Sequence, residues 1–342
     1  MEGLGLKPPP MDFSANINPL GSPPLDEIVC KELDNIGYYP DNKYIEFRNA
    51  IARFVGVKPE NVVPGNGSSE IIRLFAEMVL DEGDLALIPF PTFGEYENQS
   101  LLSGARIKRV DIDSNGVPIV SDKDLRDAKA LFVCNPNNPT GALISREDIA
   151  ALAKRCEQNE VFLLVDEAFI ELSDPDQSIA NLAPEMEYLL VMRSLTKSFG
   201  VPGLRLGFGV ANSQFIEIMD RARIPWSISS IAAAAGAYLL DNADYLKESR
   251  NLIKREREWL TSALTNLGLK PVKSSVNFIL INIQPSGIGS DELERYMATQ
   301  GVLVRDCQSF CLGKGYIRVA VRNRDENEKL IYALERAIKC AG

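Results

Sequence analysis

The sequence contains no histidine, and this absence excludes several common mechanisms. A Ser-His-Asp triad, a Cys-His pair and a histidine-ligated metal all require an imidazole. Six cysteines are scattered along 342 residues, which is typical of reduced thiols rather than of a disulfide framework. The one close pair, Cys307 and Cys311, is interpreted as two ordinary loop thiols, because no second ligand pair for zinc accompanies it. We therefore expect no metal site, and chemistry that depends on lysine, aspartate, tyrosine, arginine or a cofactor.

Long apolar runs and excess positive charge are also missing. No run approaches the ~20 apolar residues that cross a bilayer, and the N-terminal sequence MEGLGLKPPPMDF lacks the pattern of a signal peptide. The net charge of −10 disfavours binding to nucleic acid or to an anionic membrane, since both need a positive field. These absences predict a cytoplasmic protein without nucleic-acid or membrane partners.

The pattern of apolar runs predicts an α/β fold with two domains. Short apolar runs at 85–88, 130–134, 161–165, 188–192 and 206–210 alternate with helical patterns, as in a mostly parallel sheet covered by helices. From about Asn242 the pattern changes to a long charged helix, then strands and further helices, which is typical of a smaller α+β domain. The expected divisions are an N-terminal arm at 1–40 that joins the small domain, a large domain at 41–241 and the small domain at 242–342.

Five loops of unusual composition follow predicted strands. Their sequences are PGNGSSE, PFPTFGEY, NPNNPTG, DEAF and SLTK, after Val63, Ile88, Cys134, Val165 and Arg193. The carboxyl ends of parallel strands share one edge of a sheet, and ligands bind there. We therefore expect these five loops to form one site.

Lys197 lies among small and hydroxylated residues in the last of these loops. A lysine in a desolvated cleft has a lowered pKa and can form a Schiff base with an aldehyde such as pyridoxal phosphate. This cofactor needs a carboxylate at its pyridine nitrogen, an aromatic ring against its face and donors for its phosphate. Asp166 could supply the carboxylate or could be a helix cap. Phe93 or Tyr96 could supply the ring or belong to the core.

Several residues could hold the phosphate. Ser68 and Ser69 open a predicted helix, whose positive end could bind an anion or could carry an ordinary cap. Arg205 and Ser194 could complete the cradle, or be a surface ion pair and a turn hydroxyl. Asn138 lies in a run rich in turn-forming residues, so a turn is its simplest interpretation.

The motifs NPNNPTG, DEAF and SLTK with GLRLG occur in an order and at separations that resemble the fold-type I pyridoxal-phosphate enzymes. The whole chain resembles their aminotransferase branch, class II, and is similar to histidinol-phosphate aminotransferases and to the threonine-phosphate decarboxylases of cobalamin biosynthesis. The resemblance implies a large domain with a mostly parallel sheet, a smaller α+β domain, and a homodimer with shared active sites.

The resemblance also implies roles for individual residues. Lys197 would form the Schiff base and Asp166 would face the pyridinium nitrogen, while Asn138 would bond the phenolic oxygen of the cofactor. Phe93 would stack on its ring. The phosphate would be held by Ser68, Ser69, Ser194, Arg205 and, from the neighbouring subunit, Tyr39.

Two arginines of the predicted small domain match substrate-binding positions of the family. Arg318, in GYIRVAVR, matches the arginine that clamps the α-carboxylate, and Arg305, in VLVRD, matches the one that meets the substrate phosphate. Two arginines for one ligand predict a phosphorylated amino acid, whereas exposed ion pairs would be worth only ~0–1 kcal/mol. Asn16 and Asn18 are expected near the substrate, although asparagine before proline is also a common turn.

Two departures from the aminotransferase pattern favour a decarboxylase. Phe169 stands where most members of the group have a tyrosine, and Ile17 stands where histidinol-phosphate enzymes typically have an acidic residue. The chain lacks the histidine-containing arm of many such decarboxylases, and Lys7 is a candidate substitute. The sequence therefore predicts decarboxylation of L-threonine O-3-phosphate to (R)-1-amino-2-propanol O-2-phosphate. The alternative is a histidinol-phosphate aminotransferase of histidine biosynthesis.

Overall fold

Helices and strands alternate along the chain, as the apolar pattern predicts. The structure, a computed structural model, describes residues 11–341, and for residues 340 and 341 the backbone alone. The strands are β1 (Met11–Asp12), β2 (Val62–Asn66), β3 (Leu85–Pro89), β4 (Arg106–Val110), β5 (Ala130–Cys134), β6 (Phe162–Asp166), β7 (Leu189–Ser194), β8 (Leu206–Val210), β9 (Lys270–Pro271), β10 (Phe278–Asn282), β11 (Val302–Leu303), β12 (Arg305–Asp306) and β13 (Tyr316–Ala320). Lys7 lies outside the described residues.

The helices are α1 (Asp26–Leu33), α2 (Ile45–Val55), α3 (Ser68–Val79), α4 (Glu95–Leu102), α5 (Asp122–Asp127), α6 (Arg146–Gln158), α7 (Leu195–Ser198), α8 (Ser213–Ala222), α9 (Ser230–Asp241), α10 (Tyr245–Asn266), α11 (Ser290–Thr299) and α12 (Arg324–Ala341). None of the helices in this described part of the chain is both long and apolar enough to cross a membrane.

The central sheet has seven strands in the order β2-β8-β7-β6-β5-β3-β4. Within the run β7-β6-β5-β3-β4, each strand pairs in parallel with its neighbour. Strand β8 runs antiparallel to both β7 and β2. The predicted mostly parallel sheet is therefore confirmed. As a result, the carboxyl ends of β2, β3, β5, β6 and β7 lie at one edge, where the five unusual loops begin.

Helices cover both faces of this sheet, which explains the near-continuous apolar strands. In β5, Leu131 and Val133 enter an apolar cluster with α2, α6 and α9. Ala130 and Phe132 enter a second cluster with α3 and α8 on the opposite face. Each strand residue is thus buried on one side or the other, so the usual alternation of polar and apolar residues disappears.

The C-terminal third forms a four-stranded antiparallel sheet in the order β12-β13-β10-β9. Its apolar side packs with α10, α11 and α12 around residues such as Leu260, Ile279 and Leu334. Phe13 is buried in the same cluster, and β1 pairs in parallel with β11. The N-terminal segment thus joins the C-terminal part, while α1 packs against α9. The domain limits at 40/41 and 241/242 stay a prediction.

Candidate active site

One cavity at the carboxyl edge of the central sheet collects eleven of the thirteen residues that the sequence placed at the cofactor or the substrate. It has a volume of about 330 Å³ and lies between the strand ends and β12–β13. The predicted residues in its lining are Asn16, Ser68, Ser69, Phe93, Asn138, Asp166, Ser194, Lys197, Arg205, Arg305 and Arg318. A larger cleft of about 680 Å³, which Arg193 and Glu171 line, contains none of them.

Lys197 lies on α7, a single turn of helix between β7 and β8. No residue among 11–341 forms a hydrogen bond or an ion pair with its Nζ atom. Burial, followed by the charges of Arg318 and Arg205, lowers the pKa of this amine. A neutral amine is a nucleophile, so Lys197 is suited to attack an aldehyde carbon.

Asp166 ends β6 and is 3% exposed. Its Oδ1 accepts a hydrogen bond from the backbone N–H of Ala168 at 2.8 Å, and its Oδ2 accepts one from the Tyr96 hydroxyl at 2.6 Å. Burial raises the pKa of Asp166 to about 6, although both hydrogen bonds oppose this rise. The carboxylate is therefore held rigidly and is ionised at neutral pH.

A set of unpartnered donors lies at the start of α3. Gly67 has φ +74°, and a Cβ atom there would stand 2.5 Å from Nη2 of Arg205. Arg205 itself has φ +54°, a conformation that is costly for a residue with a side chain and that typically persists at functional sites. Among residues 11–341, nothing bonds the guanidinium of Arg205 or the hydroxyls of Ser68, Ser69 and Ser194. The twelve-residue helix adds its positive end, so this region suits a phosphate.

Arg305 and Arg318 face each other directly across the antiparallel strands β12 and β13. The ring of Phe310 lies 5.8 Å from each guanidinium carbon. Arg318 donates to Ser14 O at 2.9 Å and to Asn138 Oδ1. Burial, together with the nearby charge of Arg305, lowers the pKa of Arg318 to about 10.

Arg305 is exposed and donates to Ser309 Oγ at 2.8 Å. In the described part of the chain, neither Arg305 nor Arg318 forms an ion pair with a carboxylate. This differs from the surface ion pairs that were the simplest alternative for both.

The two asparagines of the N-terminal motif have different surroundings. Asn16 lines the cavity, is 3% exposed, and has no hydrogen-bond partner for its Oδ1 atom among the described residues. Asn18 does not line the cavity, because its Nδ2 atom donates to Ser198 O and to Ser249 Oγ, both at 2.7 Å. The structure therefore places Asn18 outside the cavity, and a role for it beside the substrate stays a prediction.

Tyr39 is the other predicted residue that the cavity does not include. It is 81% exposed, and its ring centroid lies 4.7 Å from that of Trp226. Because its expected contact is with the site of a neighbouring subunit, that role stays a prediction.

The cavity also contains residues that the sequence argument missed. Thr196 Oγ1 is buried without a partner among residues 11–341, and Phe310 lies beside both arginines. Thr196 adjoins the lysine in the SLTK motif and could have been identified from that position. Phe310 lies between Cys307 and Cys311, both free thiols, and no local pattern marks it.

The groups of the cavity fit pyridoxal phosphate. Three buried polar atoms of the lining, Asn16 Oδ1, Thr196 Oγ1 and Arg318 Nε, have no partner among the described residues, which is rare in proteins and is explained by a ligand that binds there. Here the unpartnered hydroxyls and Arg205 would hold the phosphate, Asp166 would face the ring nitrogen, and Lys197 would bind the aldehyde. Phe93 lies edge-on to Tyr96, with ring centroids 5.7 Å apart, and borders the same space.

Comparison with known proteins gives a consistent result. The family model for aminotransferases of class I and II matches residues 8–334. A provisional threonine-phosphate decarboxylase of Caldanaerobacter subterraneus is 36% identical, over 94% of this chain and 88% of its own. The histidinol-phosphate aminotransferase of Methanothermobacter thermautotrophicus is 33% identical, over 96% and 88% of the two chains.

Among solved structures, the histidinol-phosphate aminotransferase of Clostridium acetobutylicum superposes with a TM-score of 0.86 at 29% identity. The match covers 96% of this chain and 99% of that one. Relatives named for two different reactions are thus about equally similar to this chain, so similarity does not determine which reaction it catalyses. The fold is that of the fold-type I enzymes, as the motifs predicted. The chain belongs to the class I and II aminotransferase family, whose cofactor is pyridoxal phosphate.

Proposed function

We propose that this protein decarboxylates L-threonine O-3-phosphate to (R)-1-amino-2-propanol O-2-phosphate. The observation that carries the proposal is the direct pairing of Arg305 with Arg318 in the wall of the cavity. Like charges that face each other across strands destabilise a sheet. No described carboxylate compensates these two, so a substrate with two anionic groups would do so.

The charges of the cavity favour phosphothreonine over histidinol phosphate. Phosphothreonine carries a carboxylate and a phosphate, one for each arginine. Histidinol phosphate carries a phosphate and an imidazole, and an imidazole is partly cationic near neutral pH. Within the described lining, Asp166 is the one carboxylate, and Tyr96 already bonds it. An imidazole would thus lack an acidic partner, consistent with Ile17 in place of an acidic residue.

The side chains of the site divide the work of the reaction. Arg318 would bind the substrate carboxylate and Arg305 its phosphate, and two planar guanidinium groups would fix the direction of the bond that breaks. Asp166 would keep a negative charge opposite the ring nitrogen of the cofactor. When bound, pyridoxal phosphate supplies an electron-withdrawing ring that accepts the electrons left when CO₂ departs. Lys197 would then return a proton to the α-carbon of the substrate.

We also infer a homodimer in which Tyr39 reaches the phosphate of the neighbouring site. Tyr39 and Trp226 form an exposed aromatic pair, and Tyr38 beside them is 77% exposed. Exposed aromatic groups of this kind are typical of interaction surfaces. A tyrosine hydroxyl from a second copy would add a further donor to the phosphate.

The test is to incubate protein loaded with pyridoxal phosphate with O-phosphothreonine, while CO₂ and the cofactor spectrum are followed together. We expect CO₂ release with the aldehyde form of the cofactor retained, and neither signal in Lys197→Ala. Conversion to the pyridoxamine form by histidinol phosphate, without CO₂ from phosphothreonine, would instead establish an aminotransferase. A protein that stays colourless after loading would contradict both reactions.

A further inference from the structure

We propose that Tyr96 is a positioning residue, which holds the Asp166 carboxylate ionised and aimed at the ring nitrogen of the cofactor. The proposal depends on pyridoxal phosphate as the cofactor and is independent of whether the reaction is decarboxylation or transamination. Tyr96 itself does not line the cavity and acts through Asp166.

The carboxylate of Asp166 has acceptor sites that the protein does not use, and a ligand in the cavity can reach them. Its two oxygens each accept one bond from the protein, from the N–H of Ala168 and from the hydroxyl of Tyr96. A carboxylate oxygen has two acceptor sites, so each oxygen keeps one free. Asp166 lines the cavity and is otherwise buried, so this free capacity is available to a ligand there.

The hydroxyl of Tyr96 is fixed because its ring is fixed. Tyr96 is fully buried. Its ring stacks on Phe132 with centroids 5.5 Å apart and an interplanar angle of 20°, and Phe93 meets it edge-on. A tyrosine enclosed in this way cannot turn its hydroxyl to another partner, and the bond to Asp166 is charge-assisted and short.

The other groups that face Asp166 do not replace this donor. Cys134, on the adjacent strand β5, has a thiol whose pKa is raised by burial, and the thiol donates to Pro136 O. Glu167 is next in sequence, and its charge is neutralised by Arg193 at 3.0 Å. Among the described side chains, Tyr96 is thus the one that donates a hydrogen bond to the Asp166 carboxylate.

A phenol suits this position in a chain without histidine. Burial and the nearby Asp166 charge raise the pKa of Tyr96 well above its ordinary 10, so the hydroxyl keeps its proton throughout the physiological range. An imidazole at this position would gain and lose a charge near neutral pH. The neutral phenol stabilises the carboxylate without cancelling its charge, and the full charge remains for the cofactor.

Tyr96→Phe tests the proposal, because it removes one hydroxyl and keeps the ring stack. The probes are pyridoxal phosphate and its analogue in which C–H replaces the ring nitrogen, each titrated into cofactor-free protein. The bond is present without the cofactor, so its loss acts by raising the pKa of Asp166 by about one to two units, which leaves less carboxylate at pH 7 and weakens binding by about 2- to 10-fold. We expect this weakening for pyridoxal phosphate and none for the analogue. We also expect the acid midpoint of cofactor binding to rise by about one to two pH units.

The matched control is Tyr44→Phe, which removes the hydroxyl of another buried tyrosine outside the cavity. Tyr44 accepts a hydrogen bond from Ile228 N at 3.0 Å, and we expect this variant to bind both probes as wild type does. Equal weakening of both probes by Tyr96→Phe would show a merely structural role, and unchanged binding of both would overturn the proposal.

A second variant covers the case in which Tyr96→Phe does not fold. Asp166→Asn removes the charge that needs a donor, so folding of the double variant Asp166→Asn/Tyr96→Phe would support the coupling of the two residues. A double variant that also fails to fold would overturn it. If both variants fold, Tyr96→Phe should cost no further affinity in the Asp166→Asn background.

Discussion

Asp166 shows, at the scale of one residue, how a functional group lowers the stability of the protein that carries it. Burial holds its pKa at about 6, above the ordinary 3.8 of an aspartate. The folded protein therefore binds this proton more tightly than the unfolded chain does. Its contribution to stability is present below about pH 4 and is lost as the pH rises through about 6.

We expect cofactor-free Asp166→Asn to be more stable than cofactor-free wild type at pH 7, by roughly 3 kcal/mol. The difference should shrink as the pH falls and disappear below about pH 3, where the wild-type carboxyl is protonated in both the folded and the unfolded state. Urea unfolding of the two proteins at a series of pH values measures it. A difference that does not depend on pH would contradict the assignment of the shift to Asp166.

At the scale of secondary structure, a buried ion network joins the two strands that present Asp166 and Lys197. Arg193, at the end of β7, donates to Glu167 at 3.0 Å, to Glu171 at 2.5 Å and to Ser178 at 2.5 Å. These side chains are all under a tenth exposed. Because Glu167 follows Asp166 directly, the network fixes the separation of the two strand ends.

Arg193→Met should destabilise the protein by about 3–5 kcal/mol, because two buried carboxylates would lose their partner. Chemical denaturation gives the free energy of unfolding. The control is Arg221→Met, which breaks an exposed pair with Glu217 four residues away and should leave stability close to that of wild type. Equal stability of the two variants would show that the network contributes little.

The elements that the sequence predicted are those whose burial leaves a local signal. Strands such as β5 were placed correctly because both of their faces are covered. β4 was missed, since it is an edge strand in which Arg106, Lys108 and Arg109 are exposed. β12 has two residues and forms through pairing with β13, which no local pattern encodes.

The site was predictable where motifs follow strands and less so elsewhere. Residues at the ends of β6 and β7 share one cavity because parallel topology brings them there. Asn16 and Asn18 are two residues apart, yet only Asn16 lines the cavity. Side-chain direction in an irregular segment depends on distant partners, in this case Ser198 and Ser249, which adjacent residues do not specify.

At the scale of the whole molecule, the proposed dimer can be tested by mixing inactive variants. Tyr39→Ala should weaken binding of the cofactor phosphate in the partner, and Lys197→Ala should abolish reaction in its own chain. A hybrid dimer of the two contains one site with both Lys197 and Tyr39 intact. We therefore expect activity to return when the two variants are unfolded together and refolded, and not when each is refolded alone. No recovery in a verified hybrid would exclude sharing through Tyr39.

With no imidazole anywhere in the chain, this protein has almost no buffering capacity near pH 6. Ordinary carboxyls have lost their protons at that pH, while ordinary amines and phenols still hold theirs. The buried Asp166 carboxyl has a pKa of about 6, so it is one of the few groups of the protein that titrate in this pH range. Protons exchanged with an unbuffered solution near pH 6 when a phosphate ligand fills the cavity therefore come mainly from this carboxyl and from the ligand's own phosphate, whose second pKa is also about 6.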